Sequence, residues 1–190
     1  MKIIFASNNV NKLAEIQRAL GDQFELVSLT DIGFTGDIPE TGRTLEANAM
    51  EKASFIFDKY GEPVFADDSG LEIDALAGEP GVDTAHYSGS RDAKANMQKV
   101  LEGLGNSEKR EAKFRTVIAF VNGNEKNLFQ GEVKGHISMK MVGEEGFGYD
   151  PIFIPEKGTK TFAQMTKVEK STQSHRVRAL EKFIYYLKRI

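Results

Sequence analysis

The sequence predicts an α/β fold in a single domain over residues 1–190, long enough for two lobes around a cleft. An apolar strand at Lys2–Ala6 leads through a polar turn into a helix, because apolar side chains then recur at helical spacing. A second amphipathic helix is predicted to begin after Thr44 as its N-cap. Strand patterns follow one another between residues 112 and 139, where Asn122-Gly123 is a hairpin signal, and this indicates antiparallel pairing.

The rest of the chain continues the alternation of strands, loops and helices. The glycine- and proline-rich loop at Ala77–Gly89 is too long for a tight turn, and its length suggests a lid or an interface. The remaining predictions are a strand at Phe24–Leu29, a loop at Thr30–Gly42, a stop for the second helix at Gly61, a loop at Ala77–Gly89, a helix at Ala93–Leu104 and a helix that follows Ser174 as its N-cap.

The composition is that of an ordinary globular chain, with 40% hydrophobic and 28% charged residues. A formal net charge of -3 disfavours a protein that coats nucleic acid, which would need a broad basic face. The sequence has no cysteine, so disulfides, thiolate metal sites and cysteine nucleophiles are excluded. Polar residues come too early for a signal peptide, and no apolar run approaches membrane-spanning length. We expect a cytoplasmic protein that binds neither nucleic acid nor membranes.

The stretch that carries most chemical information is Asp67-Asp68-Ser69-Gly70, which follows the apolar run Pro63–Ala66. It is predicted to be a turn at the end of a buried strand. Two adjacent carboxylates there repel one another and lose hydration, unless a cation or a hydrogen-bond network compensates. One interpretation is a magnesium site to which Glu40 also contributes, because magnesium favours one or two carboxylates together with phosphate oxygens. The other is an ordinary polar turn.

A second candidate site is the polar turn before the first helix, where Ser7, Asn9 and Lys12 lie. Backbone N–H groups at a helix N-terminus favour an anion, and Lys12 adds a positive charge. The pattern contains no Walker A loop and no dinucleotide-binding glycine motif. A phosphate site and a simply capped helix therefore remain alternative interpretations.

Three further segments carry candidate residues. Lys52 on the second helix either faces a cleft or is a solvated lysine. The glycine-loosened loop Gly146–Pro151 presents two aromatic rings and a carboxylate, and it is either a stacking platform for a planar ring or a hydrophobic plug. Positive charge at His175 and Arg176 is unfavourable in the first turn of the last helix, which indicates a demand other than helix stability.

Taken together and in this order, these motifs resemble the inosine triphosphate pyrophosphatase family, also called the Ham1 or RdgB-like family. The resemblance extends from about residue 3 to residue 180, and each motif is weak by itself. The six motifs are Ser7-Asn8-Asn9-Val10-Asn11-Lys12, Glu40-Thr41-Gly42, Ala66-Asp67-Asp68-Ser69-Gly70-Leu71, Gly78-Glu79-Pro80-Gly81, Gly146-Phe147-Gly148-Tyr149-Asp150-Pro151-Ile152-Phe153 and Ser174-His175-Arg176.

The resemblance implies an α/β fold with a long central mixed sheet flanked by helices, and two lobes around an active-site cleft. It implies a magnesium-dependent homodimer that hydrolyses ITP, dITP and XTP to the nucleoside monophosphate and pyrophosphate. By the same resemblance Asp68 activates the attacking water, and Glu40 and Asp68 serve the metal. The implied substrate-binding residues are Ser7, Asn9, Lys12 and Lys52 on the phosphates, Asn8, Val10 and Asn11 in the same motif as Ser7, Ser69 on the nucleotide, Phe147, Gly148, Tyr149 and Asp150 around base and sugar, and Lys170, His175 and Arg176 on the purine.

One departure from the family pattern is His86, where bacterial relatives usually carry arginine, so any phosphate or interface role of that side chain is in doubt. The closest rival is a Maf-type nucleotide pyrophosphatase, which the Phe147 loop and the Ser174-His175-Arg176 motif argue against. A rival of another class is a nucleotide-binding regulator without turnover, and a nucleic-acid-binding module is disfavoured because no basic stripe follows any predicted element.

Overall fold

The computed structural model describes residues 2–20 and 24–190. The strands are β1 (Lys2–Phe5), β2 (Glu25–Val27), β3 (Val64–Ile73), β4 (Glu111–Asn122), β5 (Glu125–Ile137) and β6 (Phe153–Pro155). The α-helices are α1 (Val10–Leu20), α2 (Leu45–Tyr60), α3 (Ala93–Leu104), α4 (Lys167–Ser171) and α5 (His175–Leu187). Within this part of the chain, no helix is both long and apolar enough to cross a bilayer.

The strands form one six-stranded sheet in the order β2-β1-β3-β4-β5-β6. β1 pairs in parallel with β2 and with β3, whereas β5 pairs antiparallel with β6. Only residues 123 and 124 join the neighbouring strands β4 and β5, a connection that antiparallel strands alone allow. The predicted α/β fold with a mixed sheet is therefore confirmed, as is the predicted hairpin.

The chain divides into two compact units that alternate along the sequence. The first contains the described residues up to Asp68, together with Thr116–Gly131 and Arg176–Ile190. The second contains Ser69–Arg115 and Glu132–His175. The expectation of a single domain over residues 1–190 stays a prediction.

Each unit has its own aromatic core. In the first, the Phe65 ring lies 4.9 Å from that of Phe5 and 5.0 Å from that of Phe183, measured between ring centroids. In the second, the Phe114 ring lies 4.7 Å from that of Phe153 and also packs on Phe162. Buried aromatic pairs of this kind add roughly 0.5 to 1.5 kcal/mol beyond the apolar area they bury. The two cores fix the strands that carry the candidate residues.

The ends of α2 follow the sequence prediction. Thr44 has an extended backbone, and its side-chain oxygen accepts a hydrogen bond from the N–H of Ala47 at 3.1 Å. Gly61 ends the helix in the left-handed region with φ 71°, and its N–H donates to the carbonyl of Phe57. Both caps were predictable because they depend on local residue types alone.

Two local predictions are wrong. Asp67-Asp68-Ser69-Gly70 is not a turn, because β3 runs unbroken from Val64 to Ile73. β3 lies between β1 and β4 in the sheet; its pairing with β1 is at Val64 and Phe65, before the two aspartates, and the strand then continues through residues 67–70 up to Ile73. Ser174 precedes α5, yet its buried hydroxyl has no hydrogen-bond partner in residues 2–20 and 24–190, so its side chain does not cap the helix.

Candidate active site

The two adjacent aspartates lie in different environments because successive side chains of a strand point to opposite faces of the sheet. Asp67 is fully buried, and Lys12 Nζ lies 3.1 Å and Arg176 Nε 3.3 Å from its Oδ2. Lys12 comes from α1 and Arg176 from α5. Asp67 is thus a buried anion held by cations from two helices.

The positive charges around Asp67 outweigh the effect of burial on the pKa of its carboxyl. Burial alone would raise the pKa of the Asp67 carboxyl, but the positive charges of Lys12, Arg176 and Lys52 hold that pKa well below its usual range. Burial lowers the pKa of the Lys12 ammonium, and the charge of Asp67 opposes that effect. An anion that stays ionised under these conditions is a structural counter-charge and a poor proton acceptor.

Asp68 has a different set of partners. Lys52 Nζ lies 3.3 Å from its Oδ1, and the Asn48 side-chain amide donates to its Oδ2 at 3.2 Å. The side chain of Asp68 is 13% exposed, whereas that of Asp67 is completely buried. Burial raises the pKa of the Asp68 carboxyl, and the nearby Lys52 and Lys12 charges only partly offset this. Asp68 is therefore the more basic of the two and the one with access to solvent.

Lys52 joins Asp68 to Glu40. Its Nζ contacts Glu40 Oε1 at 2.7 Å, so the two carboxylates converge on one buried ammonium. Burial lowers the pKa of Lys52, but the charges of Asp68, Asp67 and Glu40 reverse this and raise it overall. The interpretation of Lys52 as a solvated lysine is wrong, because its side chain is only 6% exposed.

Asn48 was missed by sequence reasoning, although a signal existed. It lies four residues before Lys52 on α2, so both side chains are on the same helical face. A buried asparagine one turn from a buried lysine marks the face of α2 that meets the carboxylates of the first unit.

The turn before α1 is built by its own side chains. The Ser7 hydroxyl accepts from the Asn9 N–H at 3.2 Å, and Asn9 Oδ1 accepts from the N–H groups of Asn11 and Lys12 at 3.0 and 3.2 Å. The capped helix is thus observed, and a phosphate role for this turn stays a prediction. Asn8, Asn9, Val10 and Asn11 are exposed, with Ser7 and Lys12 half-buried.

In the second unit, Asp150 organises the aromatic loop. Its Oδ2 accepts from the Phe147 N–H at 2.8 Å and from Lys170 Nζ at 2.7 Å. Lys170 Nζ also lies 4.8 Å from the centroid of the Phe147 ring, within range of a cation–π contact. A Cβ at Gly146 would lie 2.1 Å from Asp150 Oδ2, so this carboxylate position requires glycine there. The loop is a fixed structure rather than a loose one.

The other candidates of the second unit are placed by packing. The Tyr149 hydroxyl donates to the Thr84 carbonyl at 2.8 Å, and burial raises the pKa of this phenol. The His175 ring stacks on Phe114 with centroids 4.8 Å apart and an interplanar angle of 11°. Ser69 and Gly148 are half-buried, and the departure His86 lies on an exposed turn.

The two candidate metal ligands, Glu40 and Asp68, fit a magnesium site to which water and, when bound, the substrate phosphates would add ligands. Within residues 2–20 and 24–190, no group of three or more His, Asp or Glu side chains could hold a metal by itself. Glu40 and Asp68 nevertheless converge on one cationic atom, so both can face a shared positive charge. Two carboxylates suit magnesium, which takes its remaining ligands from water and phosphate oxygens.

Known proteins match the whole chain. The Ham1 family model matches residues 3–186. The dITP/XTP pyrophosphatase of Flavobacterium psychrophilum is 47% identical over 189 residues, which cover 99% of this chain and 100% of that protein. The dITP/XTP pyrophosphatase of Bacillus subtilis is 45% identical over 184 residues, which cover 94% and 93%.

Solved structures agree with the sequence comparisons. The Ham1 protein of Staphylococcus aureus has a TM-score of 0.92 at 38% identity, covering 99% of this chain and 98% of that one. A HAM1 protein of Coxiella burnetii has a TM-score of 0.93 at 37% identity, covering 100% of both chains. These matches confirm the resemblance inferred from the six motifs, and the chain belongs to the Ham1 family.

Proposed function

We propose that this protein hydrolyses non-standard purine nucleoside triphosphates, such as ITP, dITP and XTP, to the nucleoside monophosphate and pyrophosphate. Family membership supports the reaction class, and the relatives named as dITP/XTP pyrophosphatases support the substrate class. The structural observation that carries the proposal is Asp68, a carboxylate of raised pKa beside the buried ammonium of Lys52. Such a carboxylate is more basic than an ordinary aspartate and is therefore better suited to accept a proton.

Asp68 is the general base of the proposed reaction. The oxygen of a water molecule attacks the α-phosphorus, the bond from that phosphorus to the α–β bridging oxygen breaks, and pyrophosphate leaves. The proton of the attacking water passes to Asp68, whose burial raises its pKa towards that required of a base. Asp67 is unsuited to this role, because the charges of Lys12 and Arg176 lower its proton affinity.

Cationic groups of the first unit supply the charge for the phosphates. The ammonium of Lys52, which is buried and held by two carboxylates, is proposed to contact the phosphate oxygens. Lys12 and the capped N-terminus of α1 present further positive charge. Fixed charge in a partly dewatered site stabilises a developing anion strongly, because it needs no reorganisation during the reaction.

Magnesium is the proposed cofactor, with Glu40 and Asp68 as its protein ligands. When bound, the ion neutralises negative charge on the phosphates and on the departing pyrophosphate. The convergence of Glu40 and Asp68 on Lys52 supports this assignment.

Base and sugar contacts are proposed from the family resemblance. They comprise Phe147, Gly148, Tyr149 and Asp150 around base and sugar, Ser69 on the nucleotide, and Lys170, His175 and Arg176 on the purine. Hydrogen-bond donors favour the 6-keto oxygen of inosine and xanthosine, whereas adenosine presents an amino group there. ATP is therefore expected to be a poor substrate.

A nucleotide panel assayed for pyrophosphate release tests the proposal. Hydrolysis of ITP in oxygen-18 water should place the label in the monophosphate. Label in the pyrophosphate would instead mean attack at the β-phosphorus. Tight binding of ITP without pyrophosphate release over hours would favour a nucleotide-binding regulator, and a preference for nucleotides outside this purine class would favour a Maf-type enzyme.

Homodimer formation and a cytoplasmic location are also part of this proposal. The family resemblance and the irregular Ala77–Gly89 segment motivate the dimer. Light scattering at micromolar concentration that gives only the 21.1 kDa of one chain would refute it.

A further inference from the structure

Glu40 lies in an irregular segment, outside any helix or strand. The chain between β2 and α2 consists of turns and irregular backbone, and the Glu40 side chain is 45% exposed. The proposed metal site nevertheless requires its carboxylate to stay beside Asp68. Contacts of the neighbouring residues add to the contact that Glu40 itself makes with Lys52 at 2.7 Å.

Glu51 on α2 contacts Thr41, the residue that follows Glu40. Its Oε2 accepts from the Thr41 backbone N–H at 2.7 Å, and its Oε1 accepts from the Thr41 hydroxyl at 2.8 Å. Both oxygens of one carboxylate are thus used on one residue, and such charge-assisted, two-point contacts restrict orientation as well as distance. The contact fixes both the backbone and the side chain of Thr41.

Two consecutive residues of α2 contact two consecutive residues of the irregular segment before it. Lys52 contacts Glu40 at 2.7 Å, and Glu51 binds Thr41 next to it. With Thr41 fixed, the Cα of Glu40 can move little, and its side chain is directed towards Lys52 and hence towards Asp68. The Glu51–Thr41 contact supplies a constraint that the Lys52–Glu40 pair alone does not.

Gly42 completes the attachment on the other side of Thr41. A Cβ built on Gly42 would lie 2.6 Å from Ala47 Cβ and 2.8 Å from Asn48 Oδ1. The backbone therefore lies directly on the first turn of α2, at a distance that only glycine permits. Asn48 is the residue that donates to Asp68, so this close approach also restricts the amide that orients the base.

We propose that Glu51 is a positioning residue that, through Thr41, sets the Glu40 carboxylate for the metal. This inference rests on the proposed function, since it assumes that Glu40 and Asp68 hold the ion. Glu51 itself touches neither metal nor substrate. Its effect is on the geometry of a ligand that is otherwise on an exposed segment.

Binding of Mn²⁺ to the full-length protein, followed by the electron paramagnetic resonance of the free ion, tests the inference without relying on turnover. Mn²⁺ takes the same oxygen ligands as Mg²⁺. Glu51→Ala should weaken Mn²⁺ binding by roughly 10- to 100-fold, the usual effect of losing a residue that orients a metal ligand. Glu51→Gln should retain most of the affinity, because its amide can still accept from the Thr41 N–H and donate to the Thr41 hydroxyl.

Asp58→Ala is the matched control, since Asp58 is an exposed carboxylate on the same helix. It removes the same charge and should leave Mn²⁺ binding unchanged. If Asp58→Ala and Glu51→Ala weaken binding equally, the effect is general electrostatics and the inference fails. Thr41→Val should have little further effect in the Glu51→Ala background, because the two residues act as one contact.

The Glu40→Gln variant distinguishes an error in the metal assignment from an error in the positioning role of Glu51. If Glu40→Gln leaves Mn²⁺ affinity unchanged, the metal assignment itself is wrong. If Glu40→Gln weakens binding and Glu51→Ala does not, only the positioning role of Glu51 is overturned. Melting temperatures of all variants identify a general loss of folding. Should Glu51→Ala unfold, Thr41→Val in the wild-type background, which removes the hydroxyl that donates to Glu51, should weaken Mn²⁺ binding, and unchanged binding would overturn the inference.

Discussion

Replacing Asp67 by asparagine removes one negative charge from a buried site while keeping the side-chain shape. The carboxylate is fully buried and contacts Lys12 at 3.1 Å and Arg176 at 3.3 Å. The substitution leaves two cations without their shared counter-charge, and the Arg176 side chain is only 2% exposed. We expect Asp67→Asn to lose stability first, and activity only as a consequence.

The magnitude follows from the burial of the pair. Removing one partner of a buried ion pair costs about 3 to 5 kcal/mol. For a chain of this length each kcal/mol lowers the melting temperature by about 2 to 4 °C, so the expected fall is roughly 6 to 20 °C. Asp68→Asn is the matched variant, and it should cost little stability, because burial already disfavours the charged form of Asp68.

Thermal unfolding and steady-state turnover, measured on both variants, check this reasoning. Asp68→Asn should melt near the wild-type temperature and lose roughly 10²- to 10⁴-fold in kcat. Asp67→Asn should melt much earlier and retain measurable turnover at low temperature. If Asp67→Asn melts within about 2 °C of the wild type, the loss is at most about 1 kcal/mol, and the expected cost of breaking the ion pair with Lys12 and Arg176 is refuted. Full activity in Asp68→Asn would move the base to another residue.

The dependence of folding stability on pH gives a second test of the role of Asp67. The pKa of Asp67 is lower in the folded protein than its ordinary value of 3.8, so the folded state favours the ionised form. Its contribution to stability is complete above pH 3.8 and is lost as the pH falls from there through the folded pKa. The stability of Asp67→Asn should therefore fall less steeply with acid than that of the wild type over this range.

Two further predictions concern neighbouring groups. In the metal-free protein, the carboxyl ¹³C resonance of Asp68 should titrate above the ordinary value of 3.8 and that of Asp67 below it, and the reverse order would refute the assignment of environments. Arg176→Ala should lower the melting temperature, because buried Asp67 then loses one of the cations that contact it. If Arg176 also reads the base, the ratio of kcat/KM between ITP and ATP should narrow. An unchanged ratio would restrict Arg176 to the support of Asp67.

Features fixed by short-range chemistry were predictable from the sequence. The Thr44 cap, the Gly61 stop and the hairpin after Asn122 depend on residue types within a few positions. The strand–helix order and the family motifs also identified Asp68 and Glu40 as candidates. Their convergence on Lys52 gives physical support to that selection.

Features fixed by distant contacts were not predictable. Gly70 is a turn residue by type, but it lies within β3, which runs unbroken from Val64 to Ile73 as part of the sheet. The partner of Asp67 in α5 lies 109 residues away, so no local pattern could show which aspartate is neutralised. The Glu51–Thr41 contact spans 10 residues, yet the residue types of Glu51 and Thr41 do not identify them as partners.

The alternation of side chains along β3 has a consequence for how mutations at its two aspartates would appear in a living cell. A mutational scan that records protein abundance separately from activity should find changes at Asp67 among variants depleted by degradation, and changes at Asp68 among abundant but inactive ones. Deletion of one residue of β3 before Asp67 would turn every later side chain to the other face. Both aspartates would survive in such a sequence, but Asp67 would take the buried position of Ala66 and Asp68 that of Asp67, which leaves Ser69 in the place of the proposed base.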